Sequence, residues 1–156
     1  MIHFLDTSSL RLLEGYYPSR FPSFWTRFDA STGNGDIASV EEVLKEVNNG
    51  AAAQHLFDWI DSNKEFFQAP DGTVLEFVQT IFGVPKFQEV VGMKQLLKGS
   101  PVADPFIIAA AQVVRGCVVT QERPKPNSAK IPTICQHFGV HCCDLEAMMT
   151  RLKWKF

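Results

Sequence analysis

Four carboxylates stand out in this sequence for where they lie: Asp6, Glu46, Asp104 and Glu122. Asp6 closes the apolar run Ile2-His3-Phe4-Leu5, and Glu122 follows by two residues the Thr120 that ends a second run beginning at Cys117. Asp104 stands immediately before Pro105, where an acid can also act as a routine helix N-terminal cap. Glu46 lies in a helical stretch, one position before the apolar Val47. Taken singly, each acid reads most simply as structural. Their combination points to chemistry, because phosphodiester hydrolysis with Mg²⁺ or Mn²⁺ needs several hard oxygen ligands converging on one place. Carboxylates crowded in this way repel one another unless a cation lies among them.

The elements that must carry these acids follow from hydrophobic spacing. Ile2 to Leu5 reads as a buried strand leading through Thr7-Ser8-Ser9 into a helix that Gly15 and Pro18 end, with Ser8 or Ser9 as its cap. Phe21 to Phe28 predicts a second helix, closed by a loop from Ser31 to Asp36, and Ile37-Ala38 a short strand. Ser39 and Glu42 have capping-box spacing ahead of Val40, Val43, Leu44 and Val47, a helix that Asn48-Asn49-Gly50 stops. Ala51 to Ile60 predicts a further helix. Thr73 and Glu76 form a second capping box before Phe77, Val78 and Ile81, with an extended piece near Phe66-Phe67 between these two helices. Phe87 to Leu97 reads as helical. Beyond it the spacing predicts helix 105–114, strand 117–120, a polar loop 121–130, helix 132–138, strand 140–143 and helix 145–152, with Pro105 and Pro132 in first helical turns. Strands alternating with helices predict an α/β fold with a parallel sheet covered on both faces, whose functional crevice lies beyond the carboxyl ends of the strands.

Composition narrows the function classes. The 156 residues are 46% hydrophobic and 21% charged, values of an ordinary globular domain, and show neither repeat nor internal boundary, so a single domain over 1–156 is expected. The longest apolar run, Pro105 to Val114, is far shorter than a membrane span, and the start Met1-Ile2-His3-Phe4 lacks a signal-peptide pattern; the expectation is a cytoplasmic protein with no membrane partner. A net charge of −2 conceals a split: residues 1–80 carry 12 acids and 5 bases, residues 81–156 carry 5 acids and 10 bases. That asymmetry permits contact with a polyanion but is too weak to establish it. Lys94, Lys98, Arg123, Lys125 and Lys130 are the candidate phosphate contacts, with Arg123 and Lys125 best placed because they follow Glu122 in the same loop.

Competing constellations are weaker. A phosphoaspartyl phosphatase would need an acid two residues after Asp6, where Ser8 stands. Cys135, His137, His141, Cys142 and Cys143 are zinc-ligand types, but adjacent strand residues Cys142 and Cys143 point to opposite faces, so these cysteines, with Cys117, read as small buried hydrophobes in a reducing compartment. His3 reads as a satisfied core histidine and His55 as a helix-surface residue. Phe21, Phe24, Trp25 and Phe28 suit either a core or base stacking, and the basic tail from Arg151 to Lys155 reads as a solvated helix face.

The segments HFLDTSSL, SVEEVLKEVNNG, ADPFIIAAA and VVTQE resemble, in order and spacing, the four acidic motifs of the PIN-domain superfamily of metal-dependent nucleases. The last third, from ADPFIIAAAQVVRGC to HCCDLEAMM, is similar to a PIN-like prokaryotic group related to the VapC-type toxin ribonucleases. The resemblance runs from Asp6 to about Met149. It implies a PIN-like three-layer α/β/α sandwich with a small, mostly parallel central sheet, and a Mg²⁺- or Mn²⁺-dependent endoribonuclease with Asp6, Glu46, Asp104 and Glu122 as catalytic and metal-binding acids. Thr7, Ser8 and Thr120 would orient those acids, and Asn127 would support Glu122 through the polar loop. Glu122 departs from the Asp usual at its position. Glu41 and Glu42 compete in register with Glu46, but they read better as a solvated helix residue and as the partner of Ser39. The implied partners are an RNA substrate and a cognate antitoxin protein, with room for a homodimer. Alternatives are a PIN-like module that binds RNA or protein without cleaving, and a structure-selective DNA nuclease.

Overall fold

A computed structural model describes residues 1–88 and 102–156. In chain order its elements are β1 (His3–Leu5), α1 (Thr7–Leu12), α2 (Pro22–Gly33), β2 (Ile37–Val40), α3 (Glu41–Asn48), α4 (Gln54–Ser62), β3 (Phe67–Gln68), α5 (Gly72–Phe82), α6 (Pro85–Gln88), α7 (Asp104–Val113), β4 (Cys117–Val119), α8 (Ile131–Phe138), β5 (His141–Cys143) and α9 (Leu145–Arg151), with short 3₁₀ turns at Leu13–Gly15 and Lys64–Phe66.

Every residue of β1, β2 and β4 is buried, as expected of parallel strands covered on both faces. The five strands pair in the order β3-β2-β1-β4-β5, all parallel, with His3 opposite both Ile37 and Cys117. The chain fills the sheet outward from β1 through β2 to β3, and then on the other side through β4 to β5. Its switch point therefore lies between β1 and β4, where open parallel sheets form their binding crevice. Helices flank the sheet, giving a three-layer α/β/α sandwich with the parallel sheet covered on both faces that the alternation of elements predicts. Helix α7 packs against α5 and crosses β1, β2 and β4. Phe24, Trp25, Phe28, Trp59, Phe66 and Trp154 form a cluster of edge-to-face and tilted rings that joins α2, α4 and the C-terminal segment. Most of the aromatic stretch in α2 is thus core, whereas Phe21 is exposed. Gly116 is needed at the entry to β4, since a Cβ there would meet the Ile2 carbonyl oxygen at 2.7 Å and the Phe4 ring at 3.1 Å.

Several local expectations are corrected. Neither capping box forms. Ser39 is the third residue of β2, and its buried hydroxyl donates to the Leu5 carbonyl at 2.6 Å, fastening β2 to β1. Glu42, freed from that role, is buried, with one oxygen 3.5 Å from Lys45 Nζ and the other unpartnered. At α5 the cap is Asp71, which accepts from the Val74 amide at 2.9 Å, and at α1 it is Asp6 itself rather than a serine. Helix α2 runs on to Gly33, through the first half of the expected loop. Asp104 is the first residue of α7, not its cap. His3 is buried with neither ring nitrogen hydrogen-bonded, so it is not a satisfied core histidine, and burial pulls its pKa down. His55 is partly buried, its Nε2 lying 3.2 Å from the Leu13 carbonyl oxygen. Trp154, expected on a solvated face, is buried. Of the helix expected over 87–97, Phe87 and Gln88 end α6, and the remainder lies outside the described residues, as do Lys94 and Lys98.

Candidate active site

The acids gather where the topology puts the crevice. Asp6 follows β1 with 4% of its surface exposed. Its oxygens accept from the Ser9 amide at 2.7 Å, from the Ser8 hydroxyl at 2.8 Å and from the Thr120 hydroxyl at 2.6 Å. The Ser9 bond caps α1, so the turn that starts the helix also sets the carboxylate's orientation. Burial raises the Asp6 pKa, and the hydrogen bonds from Thr120, Ser9 and Ser8 oppose that rise.

Glu46 reaches the same place from α3. One of its oxygens accepts from the Thr7 hydroxyl at 2.6 Å and the other from the Ala103 amide at 3.0 Å. It thereby ties the start of α1 to the start of α7, whose first residue is Asp104. Of the three glutamates competing in register, Glu46 is the one bonded to the neighbour of Asp6, while Glu42 faces Lys45 one turn earlier.

Asp104 is partly buried, and its pKa is pushed up to about 7, first by desolvation and then by the negative charges of Glu122, Glu46 and Asp6, with Lys130 opposing. The other three sequence-derived acids thus all act on Asp104. Glu122 is held differently. One oxygen accepts from the Ile131 amide at 2.9 Å, in the first turn of α8, and the other lies 3.1 Å from Lys130 Nζ. Its own amide donates to the Thr120 hydroxyl at 3.1 Å, so Thr120 touches both Asp6 and the Glu122 backbone. Asn127 makes no hydrogen bond to Glu122; it is exposed and occupies a left-handed turn with φ 56°. The support expected of it comes from Lys130 and the Ile131 amide.

Beside Glu122 a cleft of about 900 Å³ opens at the carboxyl ends of β4 and β5, with Thr120, Gln121, Arg123, His141 and Asp144 in its walls. Arg123 and Lys125 are exposed, and Arg123 is the cation that lines the cleft. Lys130, expected at phosphate, is occupied by Glu122. Sequence reasoning missed Lys130 as a counter-charge and the Ala103 and Ile131 amides as anchors; no pattern of side chains marks a backbone donor.

The donor set suits a hard divalent cation: carboxylate oxygens only, with Asp104 holding its proton near neutrality through burial first and its acidic neighbours second. Among the described residues, no three His, Cys, Asp or Glu side chains are already closed to the spacing of a metal shell. The oxygens of Asp6, Glu46 and Glu122 are turned to hydroxyls, amides and Lys130, and would have to exchange some of those bonds for an ion.

The chain's fold is similar to that of PAE2754 from Pyrobaculum aerophilum, with a TM-score of 0.53 and 15% sequence identity over 98% of this chain and 97% of that one. A second solved structure, VapBC2 from Rickettsia felis bound to a DNA fragment from their promoter, aligns with a TM-score of 0.48 and 16% identity over 82% of this chain and 96% of that one. No curated protein matches the sequence. The model of one family, described as a domain of unknown function (DUF4411), matches residues 3–156, and with a match over nearly its whole length the chain belongs to that family.

Proposed function

We propose that this protein is a divalent-metal-dependent endoribonuclease working at the β1/β4 switch point. The observation that carries the reading is the hydrogen-bonded chain linking acids from distant parts of the sequence. Thr120 bonds Asp6 and the Glu122 amide, Thr7 bonds Glu46, and Glu46 bonds the residue before Asp104. Among the described residues Lys130 is the cation that reaches this group, so most of its negative charge is oriented by hydroxyls and amides and not neutralised.

Asp6, Glu46, Asp104 and Glu122 would hold Mg²⁺ or Mn²⁺, which supplies the positive charge that draws a phosphate in and makes water acidic enough to attack it. The chain's own contribution is placement. Ser8, Ser9 and Thr120 hold Asp6 in one orientation before any ligand arrives, which lowers the reorganisation needed at the site. Thr7 does the same for Glu46. Arg123, on the cleft wall next to Glu122, would meet the phosphate backbone, with Lys125 further along the loop. The cleft would accept the nucleotide flanking the scissile bond. The resemblance to VapC-type toxins extends this reading to a toxin component restrained by a cognate antitoxin.

The test is cleavage of single-stranded RNA in Mn²⁺ or Mg²⁺ by the wild type, Asp6→Asn and Asp104→Asn. Cleavage that stops with chelator and is lost in both folded variants supports the proposal. Cleavage by Asp6→Asn in chelator overturns it. One observation favours a second reading, an RNA-binding module without catalysis: the Glu122 carboxylate is already neutralised by Lys130 and the first turn of α8. Wild-type protein that binds RNA but never cleaves it, with any divalent ion, would establish that alternative.

A further inference from the structure

Away from the acids, a second group of reactive side chains spans β4 and β5. The sulfurs of Cys117 and Cys143 lie 3.4 Å apart, and Arg151 Nη1 lies 3.2 Å from the Cys117 sulfur. Strand alternation sorts the cysteines. Cys143 turns to the face it shares with Cys117, and Cys142 turns to the other face, against Cys135 of α8. All four are free thiols. Cys117 is fully buried, but Cys143 is only partly so, which leaves Cys143 the residue of the pair that solvent touches. The hydrogen bond with Cys143 and the Arg151 guanidinium bring the Cys117 thiol down to about 7 against the opposing effect of burial. The pair is therefore partly anionic at neutral pH, the reactive state of a thiol.

From this juxtaposition we propose that Cys117 and Cys143 form a reversible dithiol–disulfide couple, oxidised by a hydroperoxide that reaches the partly exposed Cys143. Cys117 carries the anion, and Cys143 beside it is the thiol whose pKa is raised, first by its hydrogen bond with Cys117 and then by burial. Cys117 takes the Cys143 proton as the Cys143 sulfur attacks one oxygen of the peroxide, breaking the O–O bond, giving a sulfenic acid on Cys143 and releasing hydroxide. The Cys117 thiol passes its proton to that hydroxide, and its sulfur displaces the second hydroxide from the sulfenic sulfur as the S–S bond forms, with a solvent proton completing the second water. In sum, two thiols and hydrogen peroxide give one disulfide and two waters, the two sulfurs losing two electrons and the peroxide gaining them.

Register makes this disulfide a strained one. Cys143 lies directly opposite Val119, two residues from Cys117 on the parallel neighbour, and two residues of rise combined with one strand spacing put such Cα atoms roughly 8 Å apart, beyond an easy bridge. Closure must pull the three-residue edge strand β5 along β4. Strained disulfides are the readily reduced ones, which suits a reversible couple. The displacement has a route to the acids, because the Thr120 amide donates to the Cys143 carbonyl at 2.9 Å while the Thr120 hydroxyl holds Asp6.

The experiment is peptide mapping by mass spectrometry on folded full-length protein treated with hydrogen peroxide, with and without subsequent dithiothreitol, a readout that is independent of RNA cleavage. The expected result is loss of the mass of two hydrogens, a cross-linked peptide pair containing Cys117 and Cys143, and full reversal by the reductant. Cys142→Ser should behave as the wild type, and Cys143→Ser should lose the cross-link. Wild-type protein in which both cysteines stay alkylatable, or in which the cross-link joins Cys135 to Cys142 or two chains, would overturn the proposal without needing any variant to fold.

Discussion

The Asp6 side and the Glu122 side of the acid cluster are built on opposite principles. Asp6 is buried at the end of a central strand, and every contact it makes comes from a hydroxyl or an amide, so its charge is oriented but not cancelled. Glu122 stands in an exposed loop where Lys130 and the first turn of α8 offset its charge. Glu46 and Asp104 belong with Asp6: one is held by Thr7 and the Ala103 amide, and the other keeps its proton to about pH 7. The contrast teaches that, among the described residues, Asp6 and Glu46 are oriented by neutral donors and Asp104 is held protonated, while Glu122 is offset by a cation of the protein.

That contrast can be broken most sharply at Asp6. Asp6→Asn should reduce RNA cleavage by more than about 100-fold, the upper range for disturbing a group that merely supports a metal ligand, while Glu122→Gln should cost less than Asp6→Asn in the same single-turnover assay. Equal losses would place the two halves on the same footing.

Next in size is a stability effect at Asp104. Its folded pKa is about 7, against 3.8 for an aspartate in water, so between those values the folded state binds more protons than the unfolded state. Stability therefore falls as pH rises through that window. Asp104→Asn removes the penalty, roughly 2 to 4 kcal/mol at pH 8, and thermal melts without divalent ions should show a Tm higher by at least about 4 °C. At pH 3, where both states are protonated, the two proteins should melt together. A lower Tm for the variant at pH 8 would mean that the carboxylate stabilises the fold.

Smaller effects separate neighbours. Glu46→Gln should lower cleavage, by about 10- to 100-fold if its part is to hold an ion in place, and Glu42→Gln should leave cleavage near the wild-type rate. The reverse ranking would move the site one helical turn. Lys130→Ala should change stability by less than about 1 kcal/mol, because the pair is half-exposed, and denaturant titration would read it.

Much of this arrangement is legible before any coordinates. The uninterrupted apolar runs at Phe4-Leu5 and Cys117 to Val119 announce buried parallel strands, and their ends point to Asp6 and Thr120. The capping boxes mislead because Ser39 and Thr73 meet the spacing rule but lose to stronger local alternatives. The Ile37-Ala38 strand extends over Ser39, whose hydroxyl finds the Leu5 carbonyl, and Asp71 caps α5 from two residues upstream of Thr73. What local pattern cannot carry is long range. The Thr7 and Ala103 bonds to Glu46 cross 39 and 57 residues, and the lysine opposite Glu122 is read as a phosphate contact until the fold folds the loop back on itself.

The central claim, that Asp6, Glu46, Asp104 and Glu122 make one divalent-cation site, is tested most directly by calorimetric titration of Mn²⁺ into the folded protein. The account predicts saturable binding in the wild type, retained by Glu41→Gln and abolished by both Asp6→Asn and Asp104→Asn. Absence of binding in the wild type, or binding that survives both substitutions unchanged, would contradict it.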